Sequence, residues 1–180
     1  LRVVSLCPDM VRIHPTVVLR DTGLEAAYQR GRYVPLTLPE AVAHCADALK
    51  LLTAAGIPVI RLGLQTTREL EQPGAVVAGP FHPSFRSLVE AAVLREMAET
   101  LLRAGDPGAR VAAFTLAPAH LSVFPGEHRS TIAFLKERFG LDEIRLNGDA
   151  TLPRMTLALR TGGTALQTDV TGTITVRPGA

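Results

Sequence analysis

The sequence predicts an α/β fold, on three observations. Residues Val11 to Leu19 alternate in the manner of a strand, a capped helix runs from Thr37 toward Gly56, and Pro58 to Leu64 alternates again. Strand, helix and strand within about 55 residues is the order of a parallel α/β unit.

In the first strand Val11, Ile13, Val17 and Leu19 share one face, and Arg12, His14 and Thr16 take the other. Pro15 has no backbone donor and ends ladder pairing locally, which places Arg12 and His14 near the strand's C-terminal end. Thr22 and Glu25 have capping-box spacing and Gly31 supplies a stop, so a short helix fits between them. Thr37 and Glu40, with Pro39 in the first turn, form a second box. The helix behind it carries Leu38, Val42, Cys45, Leu49 and Leu52 at three- and four-residue steps. Cys45 falls on that apolar stripe as a small core residue, and His44 lies beside the stripe. In the next strand Ile60, Leu62 and Leu64 oppose Arg61, Gly63 and Gln65.

From Gln72 to Pro83, three prolines and two glycines forbid a regular element, so a long loop is expected. Loops of that length often carry function. Ser84 can cap the following helix, which carries Leu88, Ala92, Leu94, Met97 and Leu101 toward Gly105. Asp106-Pro-Gly marks the expected boundary between a domain of residues 1–105 and a second of residues 106–180. The second reads as a strand from Arg110 to Leu116, a loop through Pro125-Gly126-Glu127-His128-Arg129, and a helix to Phe139 stopped by Gly140. A strand around Ile144 to Leu146 follows, with Asn147-Gly148-Asp149 read as a turn. Met155 to Arg160 and Thr171 to Val176 read as strands separated by the Gly162-Gly163 turn.

The 180 residues are 47% hydrophobic, enough for a buried core and against disorder. No stretch approaches the roughly 20 apolar residues of a membrane span, and no basic segment leads into a hydrophobic run with a small-residue cleavage site. The expected location is the cytoplasm, with no membrane partner. Cys7 and Cys45 lie far apart, so cysteine in one copy cannot assemble a zinc or iron–sulfur site. Basic and acidic side chains nearly balance at 19 to 17, yet Lys50 and Lys136 are the only lysines. Arginine suits bidentate contacts to carboxylate or phosphate, although genomic composition yields the same usage. The chain opens on Leu1 and runs at once into Val3, Val4 and Leu6, as in a piece of a longer polypeptide.

Arg12 and His14 are the first site candidates. In a parallel barrel the outward face of a strand meets helices, so polar residues point into the lumen, and at the strand's C-terminal end they line the active site. An ordinary half-exposed strand has the same spacing. His82 stands in Gly79-Pro80-Phe81-His82-Pro83, where the prolines restrict the backbone around an imidazole able to act as acid, base or ligand. Nucleophile-elbow, dinucleotide, phosphate-loop and zincin motifs are absent. Gly126-Glu127-His128-Arg129 before a helix is similar to the backbone-clamping loop of a KH RNA-binding module, which brings phosphates to a helix N-terminus. Arg129 stands where that loop has glycine, and an ordinary strand–loop–helix connection is the alternative.

The string from Pro8 to Leu24, with Gly31-Arg32-Tyr33-Val34-Pro35-Leu36 after it, resembles the end of the barrel in radical S-adenosylmethionine (radical SAM) proteins related to the Elongator catalytic subunit. His14 stands where those proteins usually have tyrosine. Val59-Ile60-Arg61-Leu62-Gly63-Leu64-Gln65 and Gly79-Pro80-Phe81-His82-Pro83-Ser84-Phe85 resemble the continuation in short bacterial members labelled oxygen-independent coproporphyrinogen III oxidase-like. The resemblance covers Pro8 to Glu90 closely and Arg110 to Arg160 loosely. It implies the C-terminal portion of a partial (β/α)6 radical SAM barrel followed by a small α+β, KH-like module.

The same resemblance implies a parent enzyme with a [4Fe–4S] cluster held by a three-cysteine loop, which binds S-adenosylmethionine and reduces it to a 5′-deoxyadenosyl radical. That loop has no counterpart here, so the chain alone is expected to bind no cofactor and to be inactive without the N-terminal half of the same enzyme. Carried over, Arg12 and His14 face the barrel mouth, and Gln65 and His82 lie on segments approaching it. Gly126, His128 and Arg129 are the candidate RNA contacts. The expected function is that of a radical SAM enzyme acting on tRNA or another RNA. A non-catalytic RNA- or protein-binding module, and a radical SAM oxidoreductase acting on a small molecule or porphyrin, are the alternatives.

Overall fold

The computed structural model describes residues 2–65, 67–70 and 72–177. The chain divides into two compact units, Leu1–Val89 and Glu90–Ala180.

Unit 1 opens with a single exposed turn, α1 (Arg2–Ser5), and then β1 (Val11–Ile13). The expected strand from Val11 to Leu19 is two strands, because Pro15 ends the first, and β2 (Val18–Leu19) belongs to another sheet. Burial alternates as expected through Val17 and then slips by one, so that Val18 is the fully buried residue. Next comes α2 (Gly23–Gln29), whose cap Thr22 accepts a hydrogen bond from the Glu25 N–H. Glu25 returns its carboxylate to the N–H of Asp21 at 2.7 Å.

The full reciprocal box is at Thr37 and Glu40, where α3 (Leu38–Ala54) begins. The box satisfies orphan N–H groups of the first turn. Its buried stripe is Ala41, Cys45, Ala46, Leu49 and Leu52; the alanines take the places expected of Leu38 and Val42, which are half-buried. β3 (Val59–Leu62) then lies parallel to β1, with Val11 opposite Val59 and Ile13 opposite Leu62. A parallel pair needs a crossover of a dozen or more residues, and α3 lies in it.

The segment from Gln72 to Pro83, expected to hold no regular element, contains β4 (Val76–Ala78), paired antiparallel with β2. Val76 and Val77 have the β-branched stiffness of a strand, and the glycines and prolines fall at its ends. Gly79 follows at φ +106, where a Cβ would lie 3.0 Å from the Cα of Val17, so glycine permits this approach. Helix α4 (Phe85–Ala104) begins in unit 1.

In unit 2, the later turns of α4 bury Val93, Leu94, Met97, Ala98, Leu101 and Leu102. This burial explains why the division falls inside the helix, whereas Asp106-Pro-Gly had suggested a boundary after Gly105. The helix end is tied to unit 2, since the Asp106 N–H reaches the Thr161 hydroxyl at 3.4 Å. Strand β5 (Val111–Leu116), two 3-10 turns, α5 (Ser130–Phe139) and β6 (Glu143–Gly148) follow. β6 lies parallel to β5, and its strand includes Asn147 and Gly148, which had been read as a turn. β7 (Thr156–Thr161), β8 (Thr164–Asp169) and β9 (Ile174–Val176) complete a five-stranded sheet of order β6-β5-β7-β8-β9. β8 was missed because Thr164-Ala-Leu-Gln-Thr-Asp carries one large apolar residue, Leu166, and so shows little hydrophobic alternation.

One face of this sheet is the core. Ala112, Phe114, Leu116, Leu157, Leu159 and Leu166 are buried on it, and the Phe114 ring lies 5.1 Å from that of Phe124 in a tilted contact. Among the described residues no helix is long and apolar enough to cross a membrane.

Candidate functional site

Arg12 and His14 come together in unit 1. Both are exposed, and both line a groove of about 320 Å³ whose other walls are Val3, Val4, Val11, Ile13, Ala48 and Leu52. Among the described residues the groove is apolar apart from these two side chains. Beside it runs an edge of β1 that has no strand neighbour among the described residues, where β3 is the single partner of β1. In a parallel ladder alternate residues turn their N–H groups to opposite edges. Val11 donates its N–H to the Pro58 carbonyl at 2.9 Å, and the Ile13 carbonyl accepts from the Gly63 N–H at 2.9 Å. The backbone amide of Arg12, between them, therefore faces the open edge.

The opposite side of the pair is managed differently. Arg86 of α4 donates to the Val59 carbonyl at 3.1 Å, a contact that covers an edge acceptor of β3. Gly63 at φ +86 makes room for α4, since a Cβ there would sit 2.9 Å from the Cβ of buried Phe85. Sequence reasoning missed Arg86, and its signal was weak: an arginine in the first turn of a helix, where the helix dipole disfavours cations.

Gln65 is exposed just after β3 and does not line the groove, and neither does half-buried His82. The His82 ring closes a turn just ahead of α4: its Nδ1 accepts the N–H of Ser84 at 3.1 Å, and the His82 backbone carbonyl accepts that of Phe85. Ser84 stands at the N-cap position itself, its carbonyl accepting the N–H of Leu88 at 3.2 Å. An accepting Nδ1 leaves the proton of the neutral ring on Nε2.

In unit 2, the loop Gly126-Glu127-His128-Arg129 leads into α5 through a 3-10 turn. His128 and Arg129 are exposed at φ +50 and +61, and Gly126 has φ +73. A Cβ on Gly126 would meet the Thr131 hydroxyl at 2.6 Å, so glycine is required there. Arg129 occupies a left-handed conformation that costs a non-glycine residue roughly 1–2 kcal/mol. The topology around the loop is a parallel β5–α5–β6 unit followed by an antiparallel hairpin and a short edge strand. A second cavity, of about 480 Å³, lies on the sheet of this unit and includes Asp149, Arg160 and Arg177 in its lining.

The two cysteines differ in setting. Cys7 is exposed, and Cys45 is buried in the α3 stripe, where burial pushes its thiol pKa above the ordinary value. A cluster ligand must be a thiolate, and a buried thiol in apolar surroundings stays protonated. No group of three His, Cys, Asp or Glu side chains able to hold a metal exists among the described residues.

Against this geometry the comparison with protein families is specific. Residues 8–95 match the family model described as the Radical_SAM C-terminal domain. The match covers just under half of the chain and includes the β1–α3–β3 unit, Arg12 and His14 with the groove walls other than Val3 and Val4, and the start of α4. It supports a radical SAM C-terminal part in this segment. The comparisons with curated proteins and with solved structures found no match.

Proposed function

We propose that this chain is the C-terminal part of a radical SAM enzyme, and that the remainder of that enzyme supplies the [4Fe–4S] cluster and the S-adenosylmethionine site. The observation that carries the proposal is the family match of residues 8–95, which falls on a parallel strand pair with one edge open. Parallel sheets are ordinarily covered on both faces and contain more than two strands. The open edge of β1 is suited to receive a further strand of the barrel, and the apolar groove of Val3, Val4, Val11 and Leu52 is suited to be covered with it. No step of radical chemistry is assigned to the chain's own residues. Arg12 offers a permanently charged guanidinium with several donors, suited to a carboxylate or phosphate at the mouth of such a barrel. His14 beside it supplies an imidazole for proton transfer or hydrogen bonding.

The finer reading is an Elongator-like or coproporphyrinogen III oxidase-like subfamily, working in the cytoplasm on tRNA. The strings Pro8 to Leu24 and Gly79 to Phe85 support the subfamily, and the exposed His128 and Arg129 support contact with RNA phosphates. Anaerobic reconstitution of a polypeptide that joins this chain to the proposed cluster-binding part of the enzyme tests the enzyme reading. Cluster absorbance and reductive cleavage of S-adenosylmethionine are expected, and the absence of both overturns it. A salt-dependent affinity for tRNA supports the RNA substrate. Cofactor cleavage without detectable tRNA binding at low salt replaces that substrate with a small molecule.

A further inference from the structure

The face of the unit 2 sheet that turns away from the core carries an arrangement unrelated to the radical SAM segment. The pairing register sets Arg160 of β7 opposite Ala165 of β8. Arg177, just past β9, donates its N–H to the Ala165 carbonyl at 2.9 Å. Arg160, Ala165 and Arg177 therefore stand in one row. The next row places Thr115, Ala158, Gln167 and Thr175 side by side. Neighbouring strands lie about 4.8 Å apart, so the two arginine backbones are separated by roughly 10 Å with only a methyl group between them.

Above these rows opens the cavity of about 480 Å³, and both arginines, Thr115, Asp149, Ala158 and Ala165 line it. That volume is within the range of small-molecule sites. Both arginines line one gap, where the Asp149 carboxylate near Arg177 offsets part of their charge and leaves guanidinium N–H donors for a further anion. Arg160 already has an interaction within the protein, but its five N–H donors can serve a further acceptor.

We propose that this cavity is a binding site for a small phosphate monoester. A carboxylate has two oxygens and is satisfied by a single guanidinium fork, whereas a tetrahedral phosphate can be forked from both sides. Ala165 is the floor on which the phosphate rests. Asp149 faces the same cavity as a carboxylate, held below its ordinary pKa by the Thr151 hydroxyl and N–H and by nearby Arg177. It repels a second anionic group and accepts a hydrogen bond from a hydroxyl or amino group on the ligand's body. Thr115 adds a hydroxyl on the far side. Among the described residues the lining contains no aromatic side chain, which argues against the base-stacking platform of a single-strand nucleic-acid site.

Calorimetric titration of the full chain with ribose 5-phosphate and with inorganic phosphate tests the proposal. Saturable one-to-one binding of ribose 5-phosphate, tighter than that of inorganic phosphate, is expected. Arg177→Met should weaken it roughly tenfold, as expected for loss of one charge-assisted fork. Ala165→Leu should abolish it while leaving both cations in place. Arg177→Lys, which keeps the charge and loses the fork, should fall between wild type and Arg177→Met, and it carries the test if the methionine variant does not fold. Absence of saturation overturns the proposal, as does equal binding by wild type and variants. A 5′-phosphorylated RNA oligonucleotide that binds where ribose 5-phosphate does not overturns it too.

Discussion

The two units use the same kinds of residues to different ends. Unit 2 holds five strands in one sheet with Phe114, Leu116, Leu157 and Leu159 packed at or near zero exposure. Unit 1 holds two separate two-stranded sheets of two to four residues per strand, and its core is largely helix α3 and the first turns of α4. An isolated two-stranded sheet is marginal in water. The family match falls on unit 1, which holds β1 and its open edge, and only the last few matched residues enter unit 2. The contrast teaches that the self-sufficient sheet and the family segment are different parts of this molecule.

The largest expected effect sharpens that contrast. Phe114→Ala removes a fully buried ring stacked near Phe124 and should cost about 3–5 kcal/mol, measured by urea unfolding. A loss below about 1 kcal/mol would show that the unit 2 core is looser than its burial implies. Gly63→Ala places a Cβ 2.9 Å from Phe85 at a positive φ and should destabilise by roughly 1–3 kcal/mol. Its mark is faster amide exchange in β3, and unchanged exchange there breaks the account of how α4 seats on that strand.

Thr37→Ala removes the α3 cap, and loss of a cap costs about 1 kcal/mol. The accompanying pH dependence has a defined sign. Hydrogen bonds from the Thr37 hydroxyl and N–H hold the Glu40 carboxyl below its ordinary value of 4.5. A carboxylate depressed in the folded state stabilises above its unfolded pKa, and that stabilisation is lost as pH falls through the folded pKa. The stability gap between wild type and Glu40→Gln should therefore close below about pH 4.5, and a gap that widens in acid contradicts the box. The smallest effect is in the α5 loop. Arg129→Gly relieves a left-handed arginine and should raise stability by roughly 0.5–1 kcal/mol, while weakening any affinity for tRNA.

Much of the helical structure was legible because its signals are local. Thr37, Pro39, Glu40 and Gly56 bracket α3, and Gly140 at φ +64 ends α5, in agreement with the spacing. The strands were harder, since pairing is decided by distant residues. Nothing near Val76 announces that Val18 and Leu19 will pair with it, and Pro15 alone hinted that the first strand would break. Arg12 and His14 were legible as a pair through alternation. The role of His82 in closing the turn ahead of α4 was not, because a histidine at that position is as readily a ligand, and the deciding contact is the N–H of Ser84. The Arg160–Ala165–Arg177 row was invisible without β8 and its register.

The most direct test of the central claim is amide exchange at Arg12. In the 180-residue chain alone that amide faces an open edge and should exchange rapidly, while Phe114 in β5 stays protected. In a polypeptide that adds the proposed cluster-binding part of the enzyme, Arg12 should become protected as a neighbouring strand pairs with β1. An Arg12 amide that exchanges equally fast in both would contradict the reading of β1 as an internal strand of a larger barrel.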